Sequence, residues 1–229
     1  MGRAERSVSG CNHDVEGHAC DWLDTQKKTP VARERDRADV IEKRRSFLKR
    51  RRHLEPKRLV FLDESGFRLG APPHYGWAPS GEKSPGKSVQ GAWQTMTMLG
   101  AISLDGFRGF MTIDAATNSE IFTAFVRQQL APNLRSGDIV IMDNLAAHKT
   151  EDALSALREA GATPLFLPPY SPEFNPIEQV WAKMKELLRR MHTLTREAFD
   201  AAVATAMNCV TTADIHAWTV HAGYELSSS

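Results

Sequence analysis

Leu59-Val60-Phe61-Leu62-Asp63 and its echo Ile139-Val140-Ile141-Met142-Asp143 decide how this chain folds. Each is a run of four apolar residues closed by an aspartate. Apolar character at every position, rather than at alternate ones, marks a strand covered on both faces, the pattern of the parallel centre of a sheet. The first run gives way to Asp63-Glu64-Ser65-Gly66, where the strand is expected to stop. If the two strands are parallel neighbours, their carboxyl ends and both aspartates lie about 5 Å apart. Open α/β sheets bind ligands just outside those ends. Carboxylates so close repel, and a divalent cation is the usual way to keep both ionised. Hard oxygen donors favour magnesium or manganese.

The flanking sequence supplies the rest of a sheet. A Gly/Pro-rich connection runs to about Gly91. Residues 93–103 alternate, Trp93, Thr95 and Thr97 against Gln94, Met96 and Met98, as a strand with two unlike faces does. Asp105-Gly106 is a strong hairpin signal, and 107–113 returns as the antiparallel partner. Asn118 is placed to cap a helix running to about Leu130, with Ile121, Phe122, Phe125 and Val126 on its buried face. A helix over 150–160 closes at Gly161, a short strand spans 164–167, and a helix runs from Pro176 to about Arg190. One or two more helices occupy 195–220, with Thr195 as a cap. This order predicts an α/β fold, a mixed five-stranded sheet with helices on both faces.

Glu178 enters at the start of the 176–190 helix. With Asn175 as N-cap and Pro176 in the first helical position, Glu178 falls at the third. Two readings stand at this point: a third acid for a metal, or a capping box in which Glu178 bonds back to Asn175. An acid after a strand is likewise often only a solvated strand end. Three such acids on the right elements in the right order favour a metal site.

With 229 residues, 41% hydrophobic and 25% charged, the chain has the makeup of a globular domain with one sizeable core. No apolar run approaches the roughly 18 residues that span a bilayer, and no signal-peptide core opens the sequence, so a cytoplasmic, nucleoid-associated setting without membrane contact is expected. Cys11 and Cys20 bracket His13 and His18 at a spacing that matches no common zinc finger. Cys209 reads as a small buried hydrophobe.

The formal charge of +1 hides an asymmetry. Residues 1–58 carry 16 Lys and Arg against 10 Asp and Glu, while 59–229 carry 13 against 18. Residues 1–26 show no sustained periodicity and are expected to be flexible. From about Arg35 to Arg52 a helix would gather Val40, Ile41, Phe47 and Leu48 on one stripe. Arg44 and Arg51 fall inside that stripe, which argues for loose docking. Arg45, Lys49, Arg50, Arg51 and Arg52, with Lys149 farther on, are candidate contacts to the phosphates of a polyanionic partner, or else a solvated helix face. Two domains follow: a flexible N-terminus with a basic helical arm over 1–56, and the α/β domain that carries the three acids over 57–229.

The local strings extend the argument: FLDESG at 61–66, YGWAPSG at 75–81, MDNLAAHK at 142–149 and LPPYSPEFNPIEQVW at 167–181, with 34 residues between Asp143 and Glu178. Over residues 57–224 the chain resembles the DDE transposases of the mariner superfamily and its bacterial insertion-sequence branch, whose catalytic domain has the ribonuclease H-like fold. The resemblance implies two Mg2+ or Mn2+ ions, with Asp63 bridging both and Asp143 and Glu178 each completing one. It implies cleavage at transposon ends and joining of the freed 3′-hydroxyl to target DNA, carried out by a homodimer on DNA. Relatives place a longer helix-turn-helix region before this domain, so either a split or frameshifted element with an upstream helix-turn-helix partner or a truncated copy is expected.

Glu64, next to Asp63, should point to the opposite face and is excluded as a ligand. Asn144 and His148 are candidates to orient water or phosphate, or to cap the next helix. Trp181, one turn beyond Glu178, should pack in the core and steady that helix. Asp105 belongs to the hairpin turn and Asp114 ends an outer strand. Two alternatives stand beside the transposase reading: a standalone ribonuclease H-like nuclease, and a non-catalytic DNA-binding remnant.

Overall fold

A computed structural model describes residues 33–72, 79, 81–82 and 94–226. The expectations for residues 1–26, for the Cys11–Cys20 stretch, for most of YGWAPSG and for Trp93 lie outside the described residues. The described part belongs to one compact unit, Ala32–Ser229.

The elements follow the expected order. Helix α1 (Ala38–Arg51) precedes strand β1 (Leu59–Arg68), and β2 (Thr95–Ser103) and β3 (Gly106–Ile113) form the hairpin. Gly106 sits at φ 119°, a left-handed conformation that glycine adopts without a steric penalty. Helix α2 (Ser119–Phe125) continues through a π-helical turn to Leu130, and the Asn118 side chain accepts from the Ile121 N–H at 2.8 Å as its cap. Then come β4 (Ile139–Met142), α3 (Glu151–Glu159), β5 (Thr163–Phe166), α4 (Ile177–Arg190), α5 (Arg196–Asn208) and α6 (Thr212–His221).

The five strands lie in the order β3-β2-β1-β4-β5, with β1, β4 and β5 mutually parallel, β2 antiparallel to β1, and β3 antiparallel to β2. The sheet is therefore mixed, as the element order implied. Strand β1 corrects one expectation, because it does not stop at Asp63 but runs on to Arg68. Its parallel ladder with β4 ends at Phe61 opposite Ile141, whereas β2 stays paired to it from Phe61 opposite Ile102 through Arg68 opposite Thr95. One long antiparallel partner keeps that part of the backbone hydrogen-bonded after the other neighbour has run out. The polar Asp63-Glu64-Ser65 stretch marks that half-open edge, which in sequence looks like a strand end.

Alternate residues of β1 feed two cores. Phe61 and Phe67 join Met96, Met98, Trp181, Met184 and Phe199 on the face covered by α4, α5 and α6. Val60 and Leu62 join Leu99, Phe122, Phe125 and Leu157 under α2 and α3. Each large side chain buried this way contributes about 1.5–3 kcal/mol, which explains why β1 up to Leu62 and all of β4 are apolar at every position.

Helix α1 packs more firmly than its sequence suggested. Val40 and Phe47 are buried, and Phe47 stacks on Phe174 with ring centroids 5.4 Å apart. Arg44 and Arg51 make the contacts that allow this burial: Arg44 meets Glu173 at 2.5 Å, and Arg51 donates to the Ala222 carbonyl at 2.8 Å. Cys209 corrects a second expectation, since it is exposed and caps the C-terminus of α5. Among the described residues no helix is long and apolar enough to cross a membrane.

Candidate active site

Asp63 sits in β1, Asp143 follows the last residue of β4, and Glu178 lies in the first turn of α4. All three line one cleft of about 440 Å³, with Asn144, Pro168 to Ser171 and Asn175 around them. The cleft opens where the parallel β1–β4 ladder ends, the place where α/β sheets bind ligands. The capping-box reading of Glu178 fails on the geometry. The Asn175 N–H is taken by the Pro172 carbonyl at 2.8 Å, and no side chain caps α4. The Asn175 amide instead turns inward and donates to the Leu62 carbonyl at 3.4 Å. Glu178 is thereby left facing the cleft.

Burial, then the charge of Glu178, then that of Asp143 push the Asp63 carboxyl up to about 7. Partial burial also raises Glu178, against the attraction of Lys185 and with further repulsion from Asp143. Such mutual repulsion is what a divalent cation relieves. Asn175 lines the same cleft, and its buried Oδ1 meets no donor among the described residues. Among those residues no three acidic, imidazole or thiol groups already converge on one point as a finished metal cage. In donor type the three acids of the cleft fit hard cations, with side-chain adjustment left to bring them together.

Each aspartate is gripped from a different face of the sheet. On the α4 side, Trp181 Nε1 donates to Asp63 Oδ2 at 3.1 Å. That approach needs Gly100, which pairs with Asp63 across the β1–β2 ladder, because a Cβ there would stand 2.7 Å from the Trp181 ring. On the α2 side, Asp143 Oδ1 accepts the Leu145 N–H at 3.1 Å and lies 2.6 Å from His148 Nδ1 in a close but bent contact. His148 is fully buried, its ring lies 4.2 Å from that of Phe122, and its Nε2 is 3.9 Å from Glu64 Oε2. Burial by itself would lower the His148 pKa, but Asp143 and Glu64 outweigh it and hold it at about 9. His148 in turn keeps the Glu64 carboxyl below its ordinary value despite burial.

Sequence reasoning placed Glu64 on the far face but missed its link through His148. It also passed over Lys185, which lies seven residues after Glu178 and so on the same helix face, and whose charge acts on both Glu178 and Asp63. Of the residues named for DNA phosphates, Arg45, Lys49, Arg50, Arg52 and Lys149 are exposed. Arg50 borders a second hollow that shares Asn144, Leu167, Pro168 and Pro169 with the acidic cleft. Arg51 corrects the expectation: it points inward, over the rings of Phe174 and Tyr224, and is spent on packing.

A mixed five-stranded sheet flanked by helices, with acids from β1, the end of β4 and α4 in one cleft, is a ribonuclease H-like arrangement. The chain belongs to the DDE superfamily endonucleases, whose family model matches residues 58–200. No curated protein matches it by sequence. Its fold is that of the Mos1 mariner transposase catalytic domain. The Mos1 transposase paired-end complex with left transposon end superposes with a TM-score of 0.72 at 14% identity, covering 88% of this chain and 65% of that one. The Mos1 mariner paired-end complex with Mn gives 0.68 at 15% identity, again covering 88% and 65%. The catalytic domain of Mos1 alone gives 0.59 at 14% identity, covering 88% of this chain and 94% of that domain. The chain thus spans about two-thirds of the longer Mos1 chain and nearly all of its catalytic domain.

Proposed function

We propose that this chain is the catalytic domain of a DNA transposase, in which Asp63, Asp143 and Glu178 hold two Mg2+ or Mn2+ ions. The observation that carries this reading is the meeting of the three acids, from β1, β4 and α4, in one cleft at the end of the parallel ladder. Bound there, the ions would activate a water and stabilise the attacking and leaving oxygens of an in-line displacement on a DNA phosphate. Asp63, held by Trp181, would share the ions with Asp143 and Glu178, whose charges both act on its carboxyl. The freed 3′-hydroxyl then attacks target DNA, so no serine, tyrosine or cysteine nucleophile is required. Transposon-end DNA as substrate is supported by the fold shared with Mos1, which was solved with such an end. Action as a homodimer on DNA belongs to the same proposal.

Nicking of supercoiled DNA in Mg2+ or Mn2+ by the wild type and Asp143→Ala tests the proposal. A ligand that supplies several kcal/mol of transition-state stabilisation should cost about a thousandfold in rate when removed. Equal nicking by both proteins would refute it. Joining of a labelled 3′-hydroxyl end to a second DNA separates a transposase from a hydrolytic nuclease.

A further inference from the structure

Asp143 is the most loosely founded of the three acids, because it lies just beyond β4 with no strand ladder of its own. Its carboxylate is steadied through one oxygen. Oδ1 takes the Leu145 N–H and the His148 contact, and the structure shows no protein donor on Oδ2 among the described residues. His148 comes from the short turn Ala146–Lys149, and two other elements flank its ring: Phe122 of α2 lies against its face, and Glu64 of β1 stands 3.9 Å from its far nitrogen, an ion-pair rather than a hydrogen-bond distance. Glu64 is adjacent to Asp63 on the same strand but on the opposite face. Strand β1 thus contributes twice to the site, directly through Asp63 and indirectly through Glu64 and His148 to Asp143.

We propose that His148, braced by Glu64, is a positioning residue that turns Asp143 so that its second oxygen faces the metal. The inference rests on the metal-binding reading of the cleft. Carboxylates and imidazoles behind a ligand orient it, and their loss typically costs 10–100-fold in metal affinity. A merely structural histidine would stabilise the fold and leave that affinity alone.

The test is Mn2+ binding to the full chain, measured by titration calorimetry alongside urea unfolding. His148→Ala should weaken Mn2+ binding by about 10–100-fold. His148→Asn, whose amide nitrogen stands near the position of Nδ1, should recover most of the loss. Glu64→Ala should weaken binding in the wild type and add nothing in the His148→Asn background, where there is no imidazole left to brace. Wild-type affinity in folded His148→Ala, or no loss in Glu64→Ala, overturns the inference while leaving the metal site intact. The Glu64→Ala and His148→Asn comparison decides the matter even if His148→Ala does not fold. A folded wild type that binds no Mn2+ would instead overturn the metal-binding reading itself.

Discussion

Trp181 Nε1 donates to Asp63 Oδ2 at 3.1 Å, and the same indole lies against Gly100, the residue paired with Asp63 on the next strand. A core aromatic and a functional acid are thereby one unit, so packing in that core bears directly on the orientation of the carboxylate.

Gly100→Ala tests this linkage. Its Cβ would stand 2.7 Å from the Trp181 ring, so the ring or the strand has to move. Overpacking of this kind costs about 1–3 kcal/mol. Urea unfolding should show that loss, and Mn2+ affinity should fall with it as Trp181 leaves Asp63. A substitution that lowered neither would mean the indole is not confined as described.

Neighbouring arginines on α1 should behave in opposite ways. Arg51→Ala removes a partly buried hydrogen bond to the Ala222 carbonyl and the packing over Phe174 and Tyr224, and should lower stability by about 1.5–3 kcal/mol. Arg50→Ala, on an exposed residue, should change stability by less than about 0.5 kcal/mol. If Arg50 meets a DNA phosphate, its loss should reduce the salt slope of DNA binding by about one. Thermal melts and DNA binding at several salt concentrations distinguish the two.

Arg44 ties α1 to the loop that leads into α4. It reaches Glu173 at 2.5 Å, the Ser171 hydroxyl, and the carbonyl of Tyr170 at 3.3 Å. Tyr170 holds a left-handed φ of 54°, a conformation that is costly for a side chain of its size. Arg44→Ala should speed amide hydrogen exchange across 169–175 while leaving the β1 amides protected. Unchanged exchange in that loop would show that the proline-rich sequence alone keeps it in place.

The acid limb of stability should carry the signature of Asp214. Its carboxylate accepts from Lys183 at 2.7 Å and from the Thr211 backbone and hydroxyl in a capping box, which together lower its pKa from 3.8 to about 2. A depressed folded-state pKa stabilises the fold fully above the unfolded value, and that contribution is lost as the pH falls through about 2. Wild type should therefore exceed Asp214→Asn by about 1 kcal/mol at pH 7, with the gap closing between pH 4 and 2. A gap that stayed constant across that range would rule out the ion pair and cap as its source.

Much of this was legible in the sequence because it depends on local pattern. The continuous apolar runs before Asp63 and Asp143 reported two-sided burial, Asp105-Gly106 reported the hairpin, and Asn118 and Thr195 reported helix caps. The end of β1 was misread because its polar residues remain paired to β2, a partner more than 30 positions away in the chain. Arg51 looked like a free cation because nothing local shows that the Ala222 carbonyl awaits it. Glu64, His148 and Lys185 act through space, between elements whose approach only the fold creates. The capping-box reading of Glu178 was removed by one backbone N–H, that of Asn175, which no spacing rule shows.

The overrun of β1 past β4 has a mechanical consequence. Asp63 is anchored in the middle of a ladder, with paired backbone on both sides, and behaves as a fixed reference. Asp143 and Glu178 sit at the first residues after or within their elements and can swing by small side-chain and loop rotations. In the proposed metal-bound chemistry, one rigid and two adjustable acids would hold the ions while the phosphate passes from substrate to product geometry. The stiffness of the sheet would then set the line of attack, and the compliance of its margins would absorb the change in distances.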